Sequence, residues 1–237
     1  MGLVFEYFTF AGKSSEDFKA HISGQGTFLS PERDVESISV PGRNGNLHID
    51  NGRFSNIIIT YPAFITQDFN RNFAALKAFL LSHSGYEVLA DSYHPDHYRK
   101  ARFTGKIEPD MAPRNTAGSF ELSFDCDPRM FLKNGTQTTT FYGDDQLYNR
   151  TLYPAKPLIR AYGTGILTIA GVSIQITSAD EYTDIDCEIE EAFKGYTNCN
   201  GNIILTDGIF PELPPGVIDI SVEGITRIDI IPRWWTV

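Results

Sequence analysis

The stretch Asp91-Ser-Tyr-His94-Pro-Asp-His97-Tyr98 comes nearest to a metal cluster in this chain. Two histidines three residues apart, with a carboxylate beside them, can hold a divalent ion. Pro95 opposes the helix that would align the two rings, and no third strong ligand recurs nearby, so the stretch reads as a polar loop. A catalytic nucleophile needs a base and a third group to orient that base. No Gly-x-Ser-x-Gly occurs. Cys126 falls on the apolar face of an alternating segment, where a thiol is packing, and Cys187 lies between Asp186 and Glu188, whose charges suppress a thiolate. Glycoside hydrolysis needs two carboxylates across a cleft. The acid runs at Asp180-Glu181 and at residues 184–191 read instead as a solvated, turn-rich stretch. Gly163-Thr-Gly165 and Gly24-Gln-Gly26 lack the third glycine and the strand-to-helix setting of a dinucleotide loop. The sequons at Asn134 and Asn149 carry no weight without secretion. Trp234-Trp235 suits either a sugar platform or a packed terminal strand, and packing is the preferred reading.

These residues must be carried mostly by strands. Residues 66–85 form the exception: Phe69, Phe73, Leu76 and Leu80 recur at i, i+4, i+7 and i+11, the stripe of an amphipathic helix lying on a sheet. Thr66 or Asp68 is expected to cap its start, and Gly85 to take a left-handed stop. Before the helix the expected strands are 3–10, 35–40, 46–49 and 54–61. After it they are 86–91, 101–107 and 119–126. In the last of these Phe120, Leu122, Phe124 and Cys126 share one face. Pro41-Gly42, Asn44-Gly45, Asn51-Gly52 and Ser84-Gly85 mark turns. Residues 127–156 read as a break that links domains or adds an edge strand. Seven further strands are expected at 157–162, 165–169, 172–177, 183–188, 201–205, 216–222 and 225–231. Their short connections signal an antiparallel sandwich. The expected domains are 1–135 and 136–237.

The 237 residues comprise 41% hydrophobic and 13% aromatic side chains, with 17 Phe and 11 Tyr against 3 Met, a bias toward pleated structure. The net charge of −10 disfavours nucleic acid as a partner. Residues 1–133 hold 14 basic and 16 acidic side chains, whereas residues 134–237 hold 6 and 14. Three cysteines form no disulfide framework and suit a reducing compartment. The start resembles neither a signal peptide nor a myristoylation site, and no apolar run reaches the length of a membrane span. The residues alone therefore describe an acidic, β-rich, two-domain binding or assembly protein, with no enzyme activity, cofactor or metal expected.

At residues 40–45, Val-Pro-Gly-Arg-Asn-Gly follows Ser30-Pro-Glu-Arg-Asp34 and resembles the N-terminal signature of the distal tail proteins of siphophages and related prophages of Gram-positive bacteria. Similar features follow in the family's order: the helix at 72–84, Gly85-Tyr86, residues 89–99, Phe103-Thr-Gly-Lys-Ile107 and the strand ending at Cys126-Asp-Pro128. The second half continues with Ala155-Lys-Pro-Leu-Ile-Arg160, Gly163-Thr-Gly165, Ile185-Asp-Cys187, Phe210-Pro-Glu-Leu-Pro-Pro-Gly216 and Pro232-Arg-Trp-Trp235.

This resemblance implies a mainly β chain: a β-rich N-terminal ring-forming domain with one α-helix, then a C-terminal galectin-like antiparallel β-sandwich. It implies a homohexameric ring at the virion tail tip, assembled in the bacterial host cytoplasm. Its partners would be the tail tube protein, the tail-tip (tail-associated lysin type) protein and, in some phages, a receptor-binding protein, with no nucleic acid or membrane. The turn Pro41-Gly42-Arg43-Asn44 is expected to present Arg43 at a hairpin tip, as an inter-subunit or lumen contact. The alternative from another class is a carbohydrate-binding module for host cell-wall sugars, using the sandwich and the Trp pair.

Overall fold

A computed structural model describes residues 5–24, 27–112 and 116–237. The chain divides into two compact units, Met1–Met130 with Val237, and Phe131–Thr236. Each has its own apolar core. Among the described residues no helix is long and apolar enough to cross a membrane.

In the first unit the strands are β1 (Phe8–Phe10), β2 (Lys13–Ser14), β3 (Ala20–Ile22), β4 (Arg33–Ser39), β5 (Asn46–Phe54) and β6 (Ile57–Ile65). Helix α1 (Phe69–Leu81) is followed by β7 (Glu87–Asp91), β8 (His97–Phe103), β9 (Asp110–Met111) and β10 (Gly118–Cys126). The main sheet runs β2-β1-β7-β8-β10-β6-β3, with β9 on β10. It curls until Glu6 bridges Ile22 on β3, the Ile22 amide donating to the Glu6 carbonyl at 2.9 Å. Strand alternation supplies the interior: Ile57, Ile59, Tyr61, Ala63 and Ile65 of β6 face Phe120, Leu122, Phe124 and Cys126 of β10.

Helix α1 closes this core with Phe69, Leu76 and Leu80, while Phe73 stacks on Phe69 at 5.0 Å. Gly118 permits the contact, because a Cβ there would lie 2.6 Å from the Phe69 ring. The helix ends differ from the expected caps. Asp68 is the N-cap residue but takes a left-handed φ of 46° and its side chain makes no capping bond. Gly85 does not serve as a left-handed stop. Ser82 ends the helix instead: its amide donates to Ala78 and its hydroxyl to Phe79, satisfying carbonyls the last turn leaves open.

Strands β4 and β5 form a separate two-stranded sheet. Asn51-Gly52 is not the expected turn between strands. Gly52 takes a φ of +71°, and the β4–β5 register shifts between Arg33 and Val35, so the strand continues through a bulge to Phe54.

The second unit begins at Phe131, within β11 (Met130–Leu132), and carries β12 (Thr139–Phe141), β13 (Asp145–Asn149), β14 (Leu158–Tyr162), β15 (Gly165–Ile169) and β16 (Val172–Ile176). It continues with β17 (Tyr182–Asp186), β18 (Glu191–Lys194), β19 (Thr197–Asn198), β20 (Ile203–Leu205), β21 (Gly216–Glu223), β22 (Arg227–Ile231) and β23 (Trp235–Thr236). A six-stranded sheet ordered β12-β22-β14-β17-β18-β19 and a five-stranded sheet ordered β13-β21-β15-β16-β20 share one core. Ile159, Ile185, Ile228 and Ile230 from the first sheet pack with Leu167, Ile169, Ile174 and Ile220 from the second. This is the antiparallel sandwich expected of the second half. The supposed break at 127–156 contributes one edge strand to each sheet, β12 and β13, and the acidic stretch at 184–191 holds the end of β17 and the first residue of β18.

Leu80→Ala should lower stability by about 3 kcal/mol, because it empties a fully buried site. Leu81→Ala, at an exposed position next to it, should stay within about 0.5 kcal/mol. Urea midpoints followed by circular dichroism will separate the two.

Candidate functional site

The residues that the sequence offered for chemistry are tied into structure. Asp91 Oδ1 accepts from the His94 amide at 2.9 Å and lies 3.0 Å from His94 Nδ1, while Oδ2 accepts from the Tyr61 hydroxyl at 2.7 Å. Burial and the Asp91 charge push the Tyr61 phenol well above its usual range, which keeps it a donor. This network pins the turn between β7 and β8, and His97 opens β8. Among the described residues no group of three or more His, Cys, Asp and Glu side chains is placed to hold a metal ion.

Cys126 and Cys187 lie in the two cores, and burial pushes each thiol up to about 12. For Cys187 the Asp186 charge adds to burial. Gly24 packs against the Tyr93 ring, and its partners Gln25 and Gly26 lie outside the described residues. A Cβ on Gly165 would meet the Glu223 carbonyl oxygen at 2.0 Å, so Gly163-Thr-Gly165 serves close backbone packing. The Asn149 side chain is buried and donates to the Tyr153 and Leu213 carbonyls.

Of the acid runs, Asp180, Glu181, Glu190 and Glu191 are exposed as expected, and the correction falls on two aspartates. Asp184 and Asp186 are buried and paired. Register sets Arg160 of β14 opposite Asp184 of β17 and Asp229 of β22. Arg160 clamps Asp184 with two bonds of 2.6 and 2.9 Å, its guanidinium 4.2 Å from the Tyr182 ring centre. Arg227 clamps Asp229 at 3.0 and 2.6 Å, and Thr140 adds a third donor at 2.6 Å. Arg233 clamps Asp186 at 2.6 and 2.8 Å. Burial works against ionising Asp186 and Asp229, but their arginine bonds more than offset it and both stay below the ordinary carboxylate range. Such pairs stabilise the unit above the carboxylate range and cease to do so as pH falls through it. Carboxylates held this way are structural ions.

The Trp pair is also spent on packing. Trp234 is buried in the core, and Trp235 stacks on Tyr153 at 4.4 Å while its Nε1 donates to the Pro154 carbonyl.

What remains is the β4–β5 hairpin, a two-stranded sheet of its own. Its tip is a turn in which the Arg43 amide donates to the Val40 carbonyl at 3.2 Å, with Pro41 followed by Gly42 at φ +81°. That is a type II turn, and it leaves Pro41, Gly42, Arg43 and Asn44 exposed. Ile38 lies opposite Leu47 and Glu36 opposite Ile49, so these four share one face. The other face carries Ser37, Ser39, Asn46 and His48, with Asn46 Nδ2 donating to Ser37 Oγ. Leu47 and Ile49 are 41% and 43% exposed, and among the described residues no third strand joins either edge. Arg53 Nε bonds Asp34 at 2.6 Å near the base, holding that carboxyl below its usual range.

No protein-family model and no curated protein matches the chain. Among solved structures it superposes on the Dit (gp 19.1) protein of phage SPP1, described as a paradigm of the hub adsorption apparatus in phages that infect Gram-positive bacteria. The TM-score is 0.77 at 12% identity, over 99% of this chain and 100% of that one. This chain has the Dit fold. A chain of the phage P2 baseplate in its Ca-bound activated conformation is similar at a TM-score of 0.50 and 9% identity, covering 96% and 98% of the two chains. The Dit fold spans both units, as the sequence resemblance implied.

The thiol shifts give a direct check. At pH 8 a thiolate-specific reagent should label only Cys199 in the native protein, and all three cysteines after denaturation. The folded thiols at about 12 lie above the unfolded value of about 8.5. Their contribution to stability is therefore complete below pH ~8.5 and declines as pH rises beyond it.

Proposed function

We propose that this chain is a structural subunit of a phage tail tip. It acts as a hub, associating with copies of itself into a hexameric ring between the tail tube protein and the tail-tip protein. It makes and breaks no covalent bonds. The supporting observation is the Dit fold along the full length of both units.

The charge division favours this arrangement. Residues 1–130 carry 13 basic and 16 acidic side chains, so copies of the first unit meet with little repulsion. Residues 131–237 carry 7 and 14, which keeps the second unit soluble and available to a receptor-binding protein. A ring needs heterologous contacts that close by rotation, and the bare hairpin supplies one surface for them. Pro41, Gly42, Arg43 and Asn44 at its tip would meet a neighbouring subunit or line the lumen. The tail tip of the virion is then its location, reached after assembly in the host cytoplasm. The carbohydrate-binding reading has less support, because the Trp pair is engaged by Tyr153, Pro154 and the core.

Light scattering coupled to gel filtration should give about six times 26.5 kDa, at high concentration or once the tube and tip proteins are added. A mass of one chain under all these conditions would refute the proposal.

A further inference from the structure

Four Asn-Gly pairs occur in the chain, at Asn44, Asn51, Asn134 and Asn200. Glycine has no side chain to shield its amide. That nitrogen can therefore reach the side-chain carbonyl carbon of the preceding asparagine wherever the backbone is free to swing. The fold withholds this freedom at three of the four pairs. Asn51 lies within β5, where its Nδ2 donates to Asp34 Oδ1 at 3.1 Å. The Gly52 amide, which would have to attack, donates instead to Asp50 Oδ1 at 2.8 Å. Asn134 lies in a 3-10 turn, Lys133–Thr136, where Gly135 is buried and its carbonyl accepts from the Arg233 amide at 2.8 Å. Asn200 begins a second such turn, Asn200–Asn202, and its side-chain oxygen accepts from the Ala192 amide at 2.6 Å. Asn44 differs on every count. It and Gly45 are exposed and lie outside both strands of the hairpin. Among the described residues neither the Asn44 side chain nor the Gly45 amide makes a hydrogen bond, and a Cβ on Gly45 would meet open space.

We propose that Asn44 is a modification site, at which the fold permits spontaneous deamidation while holding the other three pairs unreactive. The Gly45 nitrogen bonds to the Asn44 side-chain carbonyl carbon. Its proton passes through solvent to the side-chain nitrogen, which departs as ammonia and leaves a five-membered succinimide. Water then opens the ring at either carbonyl. One opening gives aspartate, and the other gives isoaspartate, whose backbone runs through the former side chain. In sum one water is consumed and one ammonia released. The product sets a carboxylate beside Arg43, which cancels the one positive charge of the tip at 41–44, and isoaspartate lengthens the backbone of the turn by a methylene. The chemistry belongs to the free chain and stands apart from the ring reading.

The test incubates the folded full chain, at low concentration, in warm and mildly alkaline buffer. Peptide fragmentation then locates the roughly one-dalton mass gain. Asn44 should convert about tenfold or more faster than Asn51, Asn134 and Asn200. In denaturant, where the protecting bonds are gone, the four rates should draw together. On anion exchange the aged chain should show a later peak carrying one added negative charge, and Asn44→Gln should lose it. Folded protein in which Asn51, Asn134 or Asn200 converts as fast as Asn44 would overturn the proposal. So would an Asn44 that converts tenfold slower in the folded chain than in denaturant, or an added-charge peak that persists in Asn44→Gln.

Discussion

A β-ladder of two strands can bury a face only against something else. In this chain no third strand joins the ladder of β4 and β5 among the described residues, and Leu47 and Ile49 stay exposed. The register puts Ile38, Leu47 and Ile49 together, so the exposure is patterned. Roughly 25 cal/mol per Å2 of apolar surface waits to be recovered on association. Everything near the hairpin base is compatible with a rigid arm: Arg53 on Asp34, Arg33 on Asp50, and Arg33 over the Phe54 ring.

Each of the two units has a core of its own. In the first unit, aromatic rings from β1, β6 and β10 fill a curled sheet closed by Glu6 and Ile22, with α1 packed against them. In the second, isoleucines from two sheets interlock, while the outer face of the six-stranded sheet buries aspartates under arginines. Removing one partner of such a pair leaves a buried charge, which costs more than the intact pair contributes. The arrangement favours a rigid body over an adaptable site. It accounts for acidic residues that cluster in sequence without converging on a substrate.

Much of the fold was legible because burial on one face writes a period into the chain. Phe120, Leu122, Phe124 and Cys126 announced β10, and Phe69, Leu76 and Leu80 announced α1. Strands that are polar on both visible sides wrote no such period. Glu191–Lys194 is a strand because Ala192 alone faces the core, and Asp145–Asn149 is an edge. The aspartates of β17 looked solvated because their arginine partners are far away in sequence: Arg160 and Arg233 sit 24 and 47 residues from Asp184 and Asp186. At the candidate site the turn chemistry of Pro41-Gly42 was readable. The bulge at Gly52 was not, since Asn-Gly marks a turn and a bulge equally well. Nor was the lack of a third strand beside the hairpin among the described residues, since apolar residues in a strand ordinarily signal a core.

The central claim is that copies of this chain associate, with the hairpin as one contact surface, and amide hydrogen exchange at two protein concentrations tests it most directly. The account requires residues 33–54 to exchange rapidly in dilute solution and to become protected on concentration, while β6 and β10 stay protected in both. Exchange across 33–54 that is the same at both concentrations, whether fast or slow, would contradict it.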